Sequence, residues 1–217
     1  MNARHLASDE THLASDETLA GFASGRLDEG MALVVAAHIE LNPASGRSLR
    51  DIEAIGGGVL AQGEAVAMLS SAEDALARIE ASGDAVASAS EGSGEAGLPR
   101  VLAPYELGKW RPIGRGVAMR RVHVPGAEAR VFMLRAAPGM WLPEHQHTGY
   151  EWTTILAGAY EHQYGRFARG DFDEANEDHE HHPHVDPVEG CTCIVALTGE
   201  VRFKGWLGRL LQPLVRL

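Results

Sequence analysis

The chain has 217 residues, a hydrophobic fraction of 45% and a formal net charge of -11, which suits one large soluble domain or two small ones. The acidic balance argues against direct binding of nucleic acid, because such binding depends on neutralising phosphates with Lys and Arg. A disulfide framework is excluded because the chain has only two cysteines, Cys191 and Cys193.

The sequence shows no targeting or membrane-spanning segment. Its N-terminus lacks a basic segment followed by an apolar run, so we expect no signal peptide. No apolar stretch approaches ~20 residues, so we expect no membrane span. These features predict a cytoplasmic protein.

Residues 1–82 are predicted to be helical. Ser15 has the character of an N-cap, and the helix that follows it should end at Gly25. Asp28 should open a second helix that runs to Leu41 and is apolar around much of its circumference. We therefore expect this second helix to be largely buried.

Two further helices are predicted before residue 82. A turn through Gly46 should lead to the third helix, and the three glycines at 56–58 should end it. Ser70 and Glu73 have the spacing of a capping box, with Ser70 as the N-cap of the fourth helix.

Residues 83–98 have the composition of a flexible linker, rich in Gly, Ser and Ala. Beyond it, residues 99–217 contain short β-branched and alternating runs separated by Gly, Pro or Asp, which is typical of a β-sandwich or barrel. The predicted strands are 120–124, 129–135, 151–156, 159–163, 191–197 and 201–203. The chain is thus predicted to be an α+β protein with a helical N-terminal domain and a β-barrel C-terminal domain.

The strongest chemical signal is a set of possible metal ligands. His145 and His147 are two residues apart, so on a strand both imidazoles point to the same face. Glu151 follows at even spacing and can return to that face. Two imidazoles and one carboxylate suit a divalent metal that needs a fourth ligand. The alternative is a solvated, histidine-rich edge strand.

The spacing of these residues resembles the first cupin motif, from Gly139 through His145, His147 and Glu151 to Gly158. Cupins are jelly-roll barrels, and the resemblance implies that a later histidine completes the metal site. The second motif is weaker, but the turn around Gly170 fits the start of its strand. A histidine cluster, His179, His181, His182 and His184, supplies the candidates for the fourth ligand.

The ligand types do not select one metal. Zinc is favoured, and manganese, iron and nickel also bind such ligands. Four protein ligands would favour structural zinc, whereas an open position would favour catalysis. Cys191 and Cys193 would share one face of a strand, either as small buried hydrophobes or as a redox-sensitive pair.

The whole chain resembles the ChrR family. The resemblance rests on segments 15–25, 32–38 and 55–57 in the helical half, on the metal-binding motif, on Cys191 and Cys193, and on 206–216 at the C-terminus. ChrR proteins join a helical anti-sigma domain to a cupin. The resemblance implies a negative regulator of transcription that sequesters an extracytoplasmic-function (ECF) sigma factor and responds to singlet-oxygen-type stress. It also implies His181, followed by Pro183, as the fourth ligand.

One motif of the family is degenerate here. The resemblance implies a second zinc site in the helical domain, built from an N-terminal histidine and a His-x-x-x-Cys-x-x-Cys motif. His38 is in place, but Asn42 and Ser45 occupy the cysteine positions, and Leu13 occupies the first histidine position beside His12. Asn and Ser are poor ligands for a site that prefers thiolates, so we predict no zinc here.

Two other functions fit the sequence less well. The first is a metal-dependent cupin enzyme, such as a dioxygenase or isomerase, with an accessory helical domain. The second is a paralogue that keeps the cupin fold but no longer binds a sigma factor. The sequence does not indicate an oligomeric state.

Overall fold

The computed structural model describes residues 11–67, 69–81, 95 and 97–203. Most of the predicted linker 83–98 and the C-terminal segment 206–216 lie outside these residues. The described helices are α1 (Asp16–Ala23), α2 (Glu29–Leu41), α3 (Pro43–Ala61) and α4 (Ala72–Ala81), with a short 3-10 helix at Arg100–Leu102. None of the described helices combines the length and the apolarity needed to cross a membrane.

The first two helices begin as predicted. The Ser15 hydroxyl accepts a hydrogen bond from the Thr18 backbone N–H at 3.1 Å, and the Asp28 carboxylate accepts one from the Gly30 N–H at 2.9 Å. Each cap satisfies a donor that the first helical turn leaves without a partner.

The third helix differs from the prediction at both ends. It begins directly after α2, because Asn42 accepts a hydrogen bond from the Ala44 N–H at 3.0 Å and Pro43 is preorganised for the first helical position. It then continues through Gly46 and the glycines at 56–58 to Ala61. Glycine weakens a helix by roughly 0.5–1 kcal/mol per residue but does not forbid it.

The cap of α4 was also predicted one residue too early. Ser71 is the residue whose hydroxyl accepts a hydrogen bond, from the Asp74 N–H at 3.0 Å. The hydroxyl of Ser70 instead accepts one from Arg78 at 2.9 Å. No residue of α4 is buried.

The strands form one large sheet and a two-stranded ribbon within the described residues. The strands are β1 Glu106–Leu107, β2 Arg111–Gly114, β3 Val117–His123, β4 Arg130–Ala136, β5 His145–His147, β6 Glu151–His162, β7 Gly165–Ala168, β8 Phe172–Ala175, β9 His184–Val185, β10 Cys191–Leu197 and β11 Val201–Phe203. The prediction located β10 and β11 exactly and expected a strand after the turn around Gly170, where β8 lies, but it missed the short strands β1, β2, β7 and β9.

Strand β6 merges two predicted strands into one. The backbone continues through Gly158, whose φ of 67° is unfavourable for other residues. A Cβ at this position would lie 2.0 Å from the Gly190 carbonyl oxygen. Gly158 pairs with Cys191 just before the register between β6 and β10 shifts, so this glycine permits an irregular pairing without ending the strand.

The large sheet is buried on both faces. On β10, Cys193 and Val195 belong to a core inside the barrel, whereas Ile194 and Ala196 belong to a second core shared with the helices. Strand β4 alternates in the same way. This arrangement explains why residues 191–197 form a nearly continuous apolar run.

Helices α1 and α2 therefore pack directly on the barrel. Thr154 of β6 donates a hydrogen bond to the Val34 carbonyl of α2 at 2.8 Å. Glu174 of β8 accepts hydrogen bonds from the hydroxyls of Ser15 and Thr18 at 3.1 and 2.5 Å. The sequence suggested two units separated by a linker, whereas these contacts join the first two helices and the barrel around a common core.

Candidate metal centre

The barrel brings together the four residues predicted as metal ligands. His145 and His147 lie on β5, and Glu151 is the first residue of β6. His181 lies opposite His145, and the backbones of these two residues exchange two hydrogen bonds of 3.3 Å. The fold therefore supports His181 over the other histidines of the cluster.

The ligand atoms of these four residues lie within 4.8 Å of one another. His145 Nε2 and His181 Nε2 are 2.9 Å apart, and Glu151 Oε1 lies 3.9 and 3.6 Å from them. Glu151 Oε2 lies 3.5 Å from His147 Nδ1. Neighbouring ligands of a tetrahedral site with bonds of about 2.0–2.1 Å would be about 3.3 Å apart, so the set can close around one ion.

Buried nitrogen atoms in this cluster are suited to binding a cation. Neither ring nitrogen of His147 has a hydrogen-bond partner among the described residues, and the same holds for His181 Nδ1. Both side chains are 3% exposed. Because buried polar groups are costly without a partner, a divalent cation fits this set of donors.

The charges of the cluster favour metal binding at neutral pH. Burial lowers the pKa of His181 to about 4 and also lowers the pKa of His147, so both rings are neutral and can act as ligands. Burial alone would raise the pKa of Glu151, but the surrounding imidazoles, His147 first and then the hydrogen-bonded His145, outweigh it and lower the pKa to about 2. Glu151 is thus a carboxylate.

His145 is held in one tautomer. Its Nδ1–H donates a hydrogen bond of 2.7 Å to the Pro143 carbonyl, which leaves the Nε2 lone pair facing the cluster. Burial opposes protonation of this ring, but the hydrogen bond and charge of Glu151 outweigh it and raise the pKa of His145.

A second polar cluster borders the first and was not found from the sequence. His162 and His181 stack with ring centroids 5.1 Å apart, and His162 Nε2 donates to Asp173 Oδ2 at 2.9 Å. Tyr160 donates to the same oxygen at 2.6 Å. No sequence motif links His162 and Asp173. They come together only because β6 pairs with its neighbouring strands. They place a second carboxylate next to the metal ligands.

A cavity of about 450 Å³ adjoins the candidate metal ligands. Cys191 and Cys193 line it and are both buried. The contact with Cys191, together with burial, raises the pKa of Cys193 well above its ordinary value, which disfavours a reactive thiolate. Of the nearby aromatics, Trp141 lines the cavity, whereas Trp152 lies in the core shared with the helices.

The degenerate zinc positions of the helical half form a buried hydrogen-bond network. His38 is fully buried, with Nε2 at 2.6 Å from the Ser45 hydroxyl and Nδ1 at 2.8 Å from the Gly170 carbonyl oxygen. The Asn42 amide donates to the same carbonyl at 3.2 Å. Burial lowers the pKa of His38 to about 4, so the ring is neutral. His38 thus acts as a buried, hydrogen-bonded residue of α2.

The fold and the ligand set define a cupin-type protein, and comparison with known proteins agrees. Residues 100–200 match the family model described as the ChrR cupin-like domain. The chain is also 32% identical over 225 residues to the anti-sigma-E factor ChrR of Cereibacter sphaeroides, covering 100% of both chains. The chain belongs to the ChrR family.

A solved structure extends this similarity to the fold of the helical half. The crystal structure of Rhodobacter sphaeroides SigE in complex with the anti-sigma ChrR matches with a TM-score of 0.72 and 30% identity. The match covers 86% of this chain and 98% of that chain.

Proposed function

We propose that this protein is an anti-sigma factor that binds an ECF sigma factor and keeps it from initiating transcription. The observation that carries this proposal is the set of exposed apolar side chains on α3 and α4 and between them. The similarity to a ChrR chain solved in complex with SigE supports the choice of partner.

Seven exposed apolar side chains lie on α3, on α4 and on the segment between them. They are Ile55, Val59 and Leu60 on α3, Val66 and Leu69 between the helices, and Leu76 and Ile79 on α4, all more than half exposed. Apolar side chains grouped in this way on helices typically mark a surface that a partner covers. We call this set the apolar surface of α3 and α4.

The glycines at 56–58 belong to the same region. A Cβ at any of these positions would meet nothing within 4 Å, so internal packing does not explain them. They leave most of one helical turn without side chains, so a partner can approach the backbone closely there. The net charge of -11 would also attract the basic surface of a protein that binds DNA.

We further propose that the cupin holds one divalent metal, zinc, through His145, His147, Glu151 and His181, and that it acts as the sensing end of the regulator. When bound, zinc would supply positive charge and fix four side chains from three separate segments. The protein's own residues orient these ligands, as the Pro143 carbonyl does for His145 by accepting its Nδ1–H. A response to singlet-oxygen-type stress is part of this proposal.

We propose that the helical half binds no zinc. Both nitrogen atoms of His38 already have protein partners, and the partners include Ser45 from the degenerate motif. The same positions that would hold zinc in the family instead join α2 and α3 to the barrel by hydrogen bonds.

An assay of transcription tests the proposed function. The purified chain is added to RNA polymerase carrying an ECF sigma factor of the same organism, with a promoter of that sigma factor as template. We expect inhibition at a stoichiometric ratio, and no inhibition of polymerase carrying the housekeeping sigma factor. Unchanged transcription at a large excess of the chain would contradict the proposal and favour the paralogue that no longer binds sigma.

A metalloenzyme is the second candidate function, because the cavity adjoins the candidate ligands. A cupin dioxygenase would consume O₂ when the metal-loaded chain is mixed with small organic substrates. Oxygen consumption that disappears in a His147→Ala variant would favour this alternative.

A further inference from the structure

The cavity inside the barrel has an unusual division of polar and apolar walls. Most of its wall is apolar and is formed by side chains of β3, β4, β10 and the segment before β5. The apolar lining includes Met119, Phe132, Leu134, Met140, Leu142 and Val195. A cavity of about 450 Å³ lies within the roughly 300–1,000 Å³ of small-molecule sites.

The cavity meets solvent where the turn between β2 and β3 approaches the segment before β5. Arg115 and Trp141 line the cavity there and are exposed, Trp141 by 57%. The two segments abut, since a Cβ at Gly116 would lie 3.2 Å from the Met140 sulfur. Gly116 has a φ of 72°, so glycine suits both the turn and this close approach.

Arg115 is the cationic side chain of this mouth. It forms no ion pair with any residue that the structure describes, in contrast to Arg166, which pairs with Asp186 at 2.9 Å. A guanidinium at the entrance to an apolar cavity, on a chain with a net charge of -11, is a local site for an anion.

We propose that this cavity binds a monocarboxylate with a medium-length apolar chain, of the fatty acid class. The chain lies among Phe132, Leu134 and Val195, and the carboxylate remains at the mouth beside Arg115. The inverse orientation would bring the carboxylate toward an ion whose four tetrahedral positions the side chains of His145, His147, Glu151 and His181 would already fill. Sugars and other polar molecules do not suit the site, because the apolar walls would leave their hydroxyl groups without partners.

This binding site is independent of sigma binding and can be tested without a sigma factor. Hexanoate, octanoate and decanoate are titrated into the metal-loaded full chain by calorimetry, with 1-decanol as the uncharged analogue. We expect saturable binding that tightens by about fourfold for each added methylene. Arg115→Ala should weaken decanoate binding by about two- to fivefold, as for an exposed ion pair, and leave 1-decanol binding unchanged.

Two further variants complete the test. Arg111 is an exposed arginine of the same hairpin, but it does not line the cavity. Arg111→Ala should therefore leave decanoate binding unchanged. Leu134→Trp narrows the apolar part of the cavity and should weaken the binding of decanoate and of 1-decanol alike, with retained metal content showing that the barrel is folded. Decanoate binding that is as tight in Leu134→Trp as in wild type, or that is equal in wild type and Arg115→Glu, would overturn the proposal.

Discussion

The Nδ1–H of His38 donates a hydrogen bond of 2.8 Å to the carbonyl oxygen of Gly170, which joins α2 to the turn before β8. The other ring nitrogen accepts hydrogen bonds from the Ser45 hydroxyl at 2.6 Å and from the Ala14 N–H at 3.3 Å. One neutral imidazole thus connects the segment before α1, the start of α3 and the barrel.

Removing this imidazole should destabilise the protein. His38→Ala leaves a cavity and deprives the Ser45 and Ala14 donors of their acceptor, so we expect a loss of about 2–4 kcal/mol in the free energy of unfolding. Ser45→Ala removes one hydrogen bond and should cost about 1 kcal/mol. Urea denaturation at pH 7 measures both effects. His123→Ala, on the exposed side of β3, is the matched control, and a His38→Ala variant as stable as this control would contradict the assigned role.

The same residue predicts a dependence of stability on pH. Burial lowers the pKa of His38 from 6.5 to about 4, so the unfolded chain binds a proton that the folded chain does not bind between these values. The free energy of unfolding is therefore unaffected by His38 above pH 6.5. It falls as the pH drops toward 4, by up to about 3 kcal/mol for this one group.

A variant that cannot titrate separates His38 from other groups. In the metal-loaded protein, His38→Gln should reduce the loss of stability between pH 6.5 and 4, since glutamine keeps an amide donor and binds no proton. Urea denaturation of both proteins across this range measures the difference. Parallel curves for wild type and variant would refute the prediction.

The metal site makes a prediction about stoichiometry. Wild type should carry a single divalent ion per chain. Removing a hydrogen-bond partner of a metal ligand already lowers metal affinity by about 10-fold or more. Removing a ligand itself, in His147→Ala, should therefore lower the affinity by more than about 10-fold, and the variant should lose the ion. Elemental analysis after dialysis measures the bound metal. His182→Ala, an exposed member of the histidine cluster, should retain the ion. A second ion in wild type would contradict the proposed loss of the helical zinc site.

Some features of the fold and site could be predicted because they depend on local spacing. The pair His145 and His147 must share a face of a strand, and Ser15 and Asp28 can cap a helix whatever lies around them. The choice of His181 depended on the resemblance to a family, since the cluster offers several histidines. The structure distinguishes them by the backbone pairing of His181 with His145, which is a nonlocal contact.

Other features depended on contacts between distant residues. The glycines at 56–58 suggested a helix end, but the cost of glycine is small enough for the helix to continue. The cluster of His162 and Asp173 arises from the pairing of strands and leaves no spacing signal. The core between the helices and the barrel could not be predicted either, because it depends on contacts such as that between Val34 and Thr154, which are far apart in the chain.

Binding of the sigma factor tests the central claim most directly. Isothermal titration of the full chain with an ECF sigma factor of the same organism should show a one-to-one complex. Leu60→Glu combined with Leu76→Glu places charges on the apolar surface of α3 and α4, where these residues are 81% and 59% exposed, and should weaken binding by at least about 100-fold without changing the melting temperature. Val188→Glu, an exposed apolar residue on the barrel, should bind as wild type does. Equal affinities for wild type and the double variant would contradict the account.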